Sequence, residues 1–107
     1  MSNVPLMHVE DLKQRIDEGT VPFILDVREP DEYALCNLGG ILMPLDDLTR
    51  RVGELDPNRE TLVLCRSGGR SSIAVEFLLA HGFRDVKNLA GGIIAWAAKI
   101  DPTMPRY

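Results

Sequence analysis

Short apolar runs and helical stripes alternate along this 107-residue chain. Phe23-Ile24-Leu25-Asp26-Val27 is a run with a single acid inside it. A run without strict alternation fits a strand covered on both faces, as in a parallel sheet. Thr61 to Leu64 is a second such run. Ile41-Leu42-Met43, ended by Pro44, and Asp85 to Leu89 are expected to form shorter strands, and residues 1–7 a short edge strand. Between these runs the apolar spacing changes to three and four, which predicts helices. Val9, Leu12 and Ile16 mark one that ends near Gly19, with His8 ahead of it as a surface or capping residue. Leu45, Leu48, Val52 and Leu55 mark another, with Asp46 or Asp47 near its start. Ile73, Ala74, Phe77 and Leu78 mark one that runs to about Ala80 and stops at Gly82. Ile93, Trp96, Ala97 and Ile100 share a face of the last, which Gly91 and Gly92 open. Pro30 begins a short helix toward Tyr33, the position where proline suits a first turn.

Strands alternating with helices predict an α/β fold, a central and mostly parallel sheet with helices on both faces. No repeat, linker or low-complexity segment interrupts the pattern, so residues 1–107 are expected to form one domain with one core. Trp96, Tyr33 and Phe77 are expected in that core.

Charge narrows the function classes. The net charge of −4 argues against a nucleic-acid partner or an anionic membrane. No apolar run approaches the roughly 20 residues of a membrane span, and the N-terminus lacks a signal-peptide pattern. Cys36 and Cys65 are too few for a disulfide framework or a metal site, and no dinucleotide or P-loop fingerprint occurs. No cofactor or metal is expected, and a reducing cytoplasmic setting fits two free thiols.

Against this acidic background, Cys65-Arg66-Ser67-Gly68-Gly69-Arg70-Ser71 stands apart. An apolar strand runs into it and a helix leaves it. A thiol there sits on a tight loop whose N–H groups can form an anion-binding nest. The helix N-terminus adds partial positive charge, and Arg66 and Arg70 add full charges. Such a cysteine is expected to be a good nucleophile with a lowered pKa. Asp26, Arg28 and Glu29 cluster at the end of another strand, where function collects in open α/β sheets. For Asp26 and Arg28 a structural ion pair near the site is expected rather than direct catalysis. Cys36 is expected to fill a gap as a small apolar residue.

Three segments resemble a known family, the single-domain rhodaneses, which are sulfurtransferases. Asp26-Val27-Arg28-Glu29-Pro30-Asp31-Glu32-Tyr33 resembles the family's DVRexxEy segment. Cys65 to Ser71 resembles its CxxGxRS active-site loop, and Leu89 to Trp96 its LxGGxxxW segment. Together, in order, they cover nearly the whole chain. The tail from Ile100 to Tyr107 resembles the ends of rhodanese domains fused to adenylyltransferases for ubiquitin-like proteins. One departure is visible: where many members carry a GHIPGA-like turn, this chain has Cys36-Asn37-Leu38-Gly39-Gly40-Ile41.

The resemblance implies a rhodanese-like fold and a thiosulfate:cyanide type of sulfur transfer. Cys65 would attack the outer sulfur of an anionic donor such as thiosulfate and carry a persulfide to a nucleophilic acceptor. The loop of Arg66, Ser67, Gly68, Gly69, Arg70 and Ser71 would bind substrate and stabilise the persulfide. Arg66 would meet the donor and Arg70 would brace the loop. Ser67 and Ser71 would serve either the bound sulfur or the loop itself. A cysteine desulfurase is an alternative donor, and a ubiquitin-like sulfur carrier an alternative to a small thiol as acceptor. Cysteine phosphatases and arsenate reductases of similar fold hold five residues between cysteine and arginine, whereas four separate Cys65 from Arg70. That shorter loop suits one sulfur atom better than a tetrahedral phosphate. A non-catalytic rhodanese-like binding module is the third alternative, disfavoured by the retained Cys65.

Overall fold

The computed structural model describes residues 3–107. Among these residues the strands are β1 (Leu6–Met7), β2 (Phe23–Asp26), β3 (Ile41–Leu42), β4 (Thr61–Leu64) and β5 (Val86–Leu89). The helices are α1 (Val9–Glu18), α2 (Pro30–Leu35), α3 (Leu45–Arg51), α4 (Gly69–Ala80) and α5 (Gly92–Lys99). The strands form one sheet in the order β1-β5-β4-β2-β3, and every neighbouring pair is parallel. Parallel neighbours need crossover connections, which is why helices separate the strands in sequence. The edge strand expected within residues 1–7 is β1; Met1 and Ser2 lie outside the described residues.

Side chains alternate across the sheet and build two apolar layers. Leu25, Val27, Val63, Cys65 and Val86 pack with Met43, Leu48, Ala74, Val75 and Leu78 on the face covered by α3 and α4. Ile24, Leu62, Leu64 and Leu89 pack with Leu12, Ile93 and Trp96 on the face covered by α1 and α5. β4 lies in the middle of the sheet with all four residues buried, the reason Leu62, Val63 and Leu64 are apolar without alternation.

The helix expected through Leu55 is shorter than its apolar spacing. α3 stops at Arg51 and a 3₁₀ turn covers Val52–Glu54. Gly53 weakens the helix, and Pro57 disfavours helical backbone at Asp56. Val52 and Leu55 still pack on the core, which preserves the periodic signal.

The C-terminal edges of β4, β2 and β5 lie side by side, so their outgoing loops meet. α5 holds the outgoing β4 loop directly: Ile93 N–H donates to the Cys65 carbonyl at 3.0 Å and Ile94 N–H to that of Arg66 at 3.1 Å. This approach requires glycine at 92. Its φ is +63°, and a Cβ there would lie 2.7 Å from the Cys65 oxygen and 2.6 Å from the Arg66 carbonyl carbon.

Candidate active site

Cys65 follows the last residue of β4, and the chain turns through Gly68, φ +113°, into α4. The turn brings the Gly68 N–H to 3.1 Å from Cys65 Sγ and Ser71 Oγ to 3.2 Å. Cys65 is 1% exposed, so its sulfur forms the floor of the loop. Burial pushes the thiol pKa up. The Ser71 hydroxyl and the backbone N–H groups of Ser71, Gly68 and Ser67 outweigh that effect, leaving the pKa below its ordinary value. The α4 N-terminus points the same way. Ser67 contributes its N–H while its side chain is exposed.

Ser71 is fully buried, and Asn88 of β5 stands behind it. Asn88 Oδ1 lies 2.6 Å from Ser71 Oγ, and Asn88 Nδ2 donates to the Gly68 carbonyl at 3.1 Å. Asn88 is a residue of the site that the local sequence pattern did not single out. The available signal was a polar residue two positions after Val86, on the strand face that Val86 buries.

The two arginines of the loop point to different neighbours. Arg70 donates two hydrogen bonds to Glu32 of α2, at 2.6 and 2.8 Å. Arg66 is exposed, and its Nε and Nη2 both reach the backbone oxygen of Tyr107, the Nε at 2.7 Å. Its guanidinium lies 5.2 Å from the Tyr107 ring centroid. An anion meeting Arg66 therefore competes with the Tyr107 oxygen. The Tyr107 hydroxyl in turn accepts from Arg28 at 2.8 Å and donates to Glu32 at 2.9 Å. Glu32 and Tyr107 thus join the site through contacts distant in sequence, which local pattern does not assign.

Glu32 is held down to a pKa of about 2, first by the Arg70 hydrogen bonds, then against burial by the Glu29 N–H and the Tyr107 hydroxyl. Its ordinary value is 4.5. A carboxyl depressed in the folded state stabilises the protein fully above the unfolded pKa and loses that contribution as pH falls. Thermal stability is expected to fall between pH 4.5 and pH 2, by more in the native chain than in Glu32→Gln. Equal slopes in calorimetric scans of the two proteins would remove this assignment.

Asp26 and Arg28 lie beside this cluster at 1% and 0% exposure. Arg28 makes a paired contact with both Asp26 oxygens, at 2.9 and 2.8 Å. It also donates to the carbonyls of Cys36 at 2.7 Å and Glu32 at 3.3 Å. It thereby ties the end of β2 to α2 and the tail.

The departing turn at Cys36–Ile41 braces itself. Asn37 Nδ2 donates to the Tyr33 carbonyl at 3.1 Å and its Oδ1 accepts from Gly39 N–H at 2.8 Å. The Tyr33 hydroxyl donates to the Gly40 carbonyl at 2.7 Å. Cys36 packs with Leu64 and Trp96 on the α1/α5 side of the sheet, whereas Cys65 belongs to the α3/α4 side. An open groove of about 420 Å³ lies by Phe23, Leu38 and Arg59, toward the start of β2, and contains none of the loop residues.

The family model of the rhodanese-like domain matches residues 8–99. The chain belongs to the rhodanese-like family. It is similar to a sulfurtransferase of Allochromatium vinosum, 37% identical over 89 residues, covering 82% of this chain and 83% of that protein. It is also similar to the adenylyltransferase and sulfurtransferase uba4 of Ogataea parapolymorpha, 32% identical over 97 residues, covering 88% of this chain and 25% of that protein. The crystal structure of a rhodanese-like domain protein from Staphylococcus aureus superposes with a TM-score of 0.81 at 28% identity, covering 96% of this chain and 98% of that one. Of two further curated relatives the chain spans 55% and 30%. The parallel five-stranded sheet is thus the rhodanese fold, and sulfurtransferases are among its relatives.

Proposed function

We propose that residues 1–107 act as one rhodanese domain that moves sulfane sulfur through a persulfide on Cys65. The observation that carries this reading is the sulfur's setting: a buried Sγ that meets the Gly68 N–H and the Ser71 hydroxyl at the head of α4. That setting favours a thiolate and offers donors to a sulfur anion, as an oxyanion hole does to oxygen.

With thiosulfate as donor, the Cys65 thiolate attacks the outer sulfur. A new S–S bond forms, the old one breaks, and sulfite leaves with its electron pair. The persulfide anion keeps the single negative charge. Arg66, exposed at the mouth, is suited to an incoming anion, and Arg70, fixed by Glu32, to a standing positive field near the sulfur. A second nucleophile, such as cyanide or a thiol, then takes the outer sulfur and returns the thiolate. A cysteine desulfurase persulfide could serve as donor by the same exchange.

The name of uba4 pairs adenylyl transfer with sulfur transfer. An acyl adenylate is a chemical partner for a persulfide, whose attack expels the nucleotide. A ubiquitin-like sulfur carrier is therefore a fitting acceptor, and a reducing cytoplasm a fitting setting.

Intact-mass spectrometry after incubation with thiosulfate tests the proposal. The expected result is a gain of one sulfur atom, removed by cyanide. Cys36→Ala is expected to load equally, because its thiol lies on the other side of the sheet. No loading from thiosulfate or from a desulfurase, together with hydrolysis of an aryl phosphate, would overturn sulfur transfer in favour of a phosphatase.

A further inference from the structure

The Ser71 hydroxyl has two acceptors and one proton. Cys65 Sγ lies 3.2 Å from its oxygen and Asn88 Oδ1 lies 2.6 Å from it. The Asn88 amide is oriented by its other end, because Nδ2 donates to the Gly68 carbonyl. Its oxygen is therefore the end facing Ser71. Asn88 is 5% exposed and Ser71 is fully buried, so water does not readily replace either partner. The register fixes the pair: Asn88 aligns with Val63 of β4, two residues before Cys65, on the sheet face covered by α4.

We propose that Asn88 is a positioning residue that controls the direction of the Ser71–Cys65 hydrogen bond. At rest the Ser71 hydroxyl donates to Asn88 Oδ1, and the Cys65 thiol donates to the Ser71 oxygen. When Sγ becomes a thiolate, the Ser71 hydroxyl turns to the sulfur and Asn88 Oδ1 loses its donor. In a persulfide the charge moves to the outer sulfur, Sγ is no longer anionic, and Ser71 returns to Asn88. Asn88 thus favours the two states with uncharged Sγ over the free thiolate. That thiolate is the attacking group in loading and the leaving group in discharge. The loaded-state consequence rests on the sulfur-transfer reading, whereas the effect on the resting thiol does not.

The other groups around the sulfur are accounted for. Arg70 of α4 senses the charge of Cys65 and is paired with Glu32 of α2. Arg66 of the loop is turned to Tyr107, and Asp26 of β2 is locked to Arg28. From β5 and α5 come Asn88, Gly92 and Ile93, none of them titratable.

The test is a titration of Cys65 followed by thiolate ultraviolet absorbance in a Cys36→Ala chain, with the Cys65→Ala trace subtracted. Asn88→Ala is expected to raise the thiolate-to-thiol ratio at fixed pH by about two- to tenfold, the worth of one hydrogen bond. Adding Ser71→Ala is expected to abolish that increase. An unchanged or lowered ratio, or an increase that persists without the Ser71 hydroxyl, would overturn the proposal. Should Asn88→Ala fail to fold, Asn88→Asp keeps an acceptor against Ser71. It is expected to lower the ratio, and by less when Ser71→Ala is added; an equal drop in both backgrounds overturns the proposal. No sulfur donor enters the titration, so its outcome is separate from that of the loading experiment.

Discussion

Cys65→Ala is expected to lower sulfur transfer from thiosulfate to cyanide by about a thousandfold or more, the scale on which loss of a covalent nucleophile acts. The substituted protein is expected to stay folded. Cys65 is a small buried residue in an apolar layer with Leu25, Val63 and Ala74, and alanine removes only its sulfur. The cost of that small void is on the order of 1 kcal/mol. Its backbone carbonyl still accepts from Ile93, so α5 keeps its hold on the loop. Steady-state turnover and chemical denaturation on the same preparation separate the two effects. Turnover that survives in the folded variant would remove Cys65 from the mechanism. Turnover lost together with the fold would show that the side chain is structural.

Asp26→Ala is expected to cause a large loss of stability, about 3–5 kcal/mol. The substitution leaves Arg28 at 0% exposure with its guanidinium charge unpaired. The carbonyls of Cys36 and Glu32 and the Tyr107 hydroxyl still accept from it, but none of them carries a compensating charge. Domains of this size are stable by about 5–15 kcal/mol, so the loss is a large share of the total. A fall in Tm of about 15–30 °C is the expected reading. The Asp26 carboxylate bonds Arg28 and not the loop of Cys65 to Ser71, so the variant is expected to retain sulfur loading at temperatures where it remains folded. A loss below about 1 kcal/mol would mean that neutral acceptors suffice for Arg28. The Asp26–Arg28 pair would then have no large structural role.

Both predictions concern residues that are conspicuous in the chain. A cysteine between an apolar run and a helical stripe, with glycines and arginines behind it, identifies a loop at a strand end from local pattern alone. Asp26 stands out because an acid inside an apolar run has to be paired. The strands, helices and loop around Cys65 follow from period and turn chemistry, which act over a few residues. Tyr33 illustrates a partial success. It was expected in the core, yet it is only partly buried and its hydroxyl bonds the Gly40 carbonyl, bracing a turn whose sequence departs from the family pattern.

The arrangement behind the loop was not readable in this way. Asn88 meets Ser71 across 17 residues, Arg70 meets Glu32 across 38, and Arg28 meets Tyr107 across 79. No local period carries such pairs. They exist because β5, β4 and β2 are neighbours in one parallel sheet, whose register brings their outgoing ends together. From sequence alone, Arg66 and Arg70 are two similar charges beside a thiol. Packing distinguishes them: α2 brings Glu32 to Arg70, and the folded tail brings Tyr107 to Arg66. Local sequence therefore predicted the alternating elements and singled out the loop that follows β4, because propensity and spacing are short-range. The hydrogen-bond partners of that loop were decided only by the order and register of strands distant in sequence.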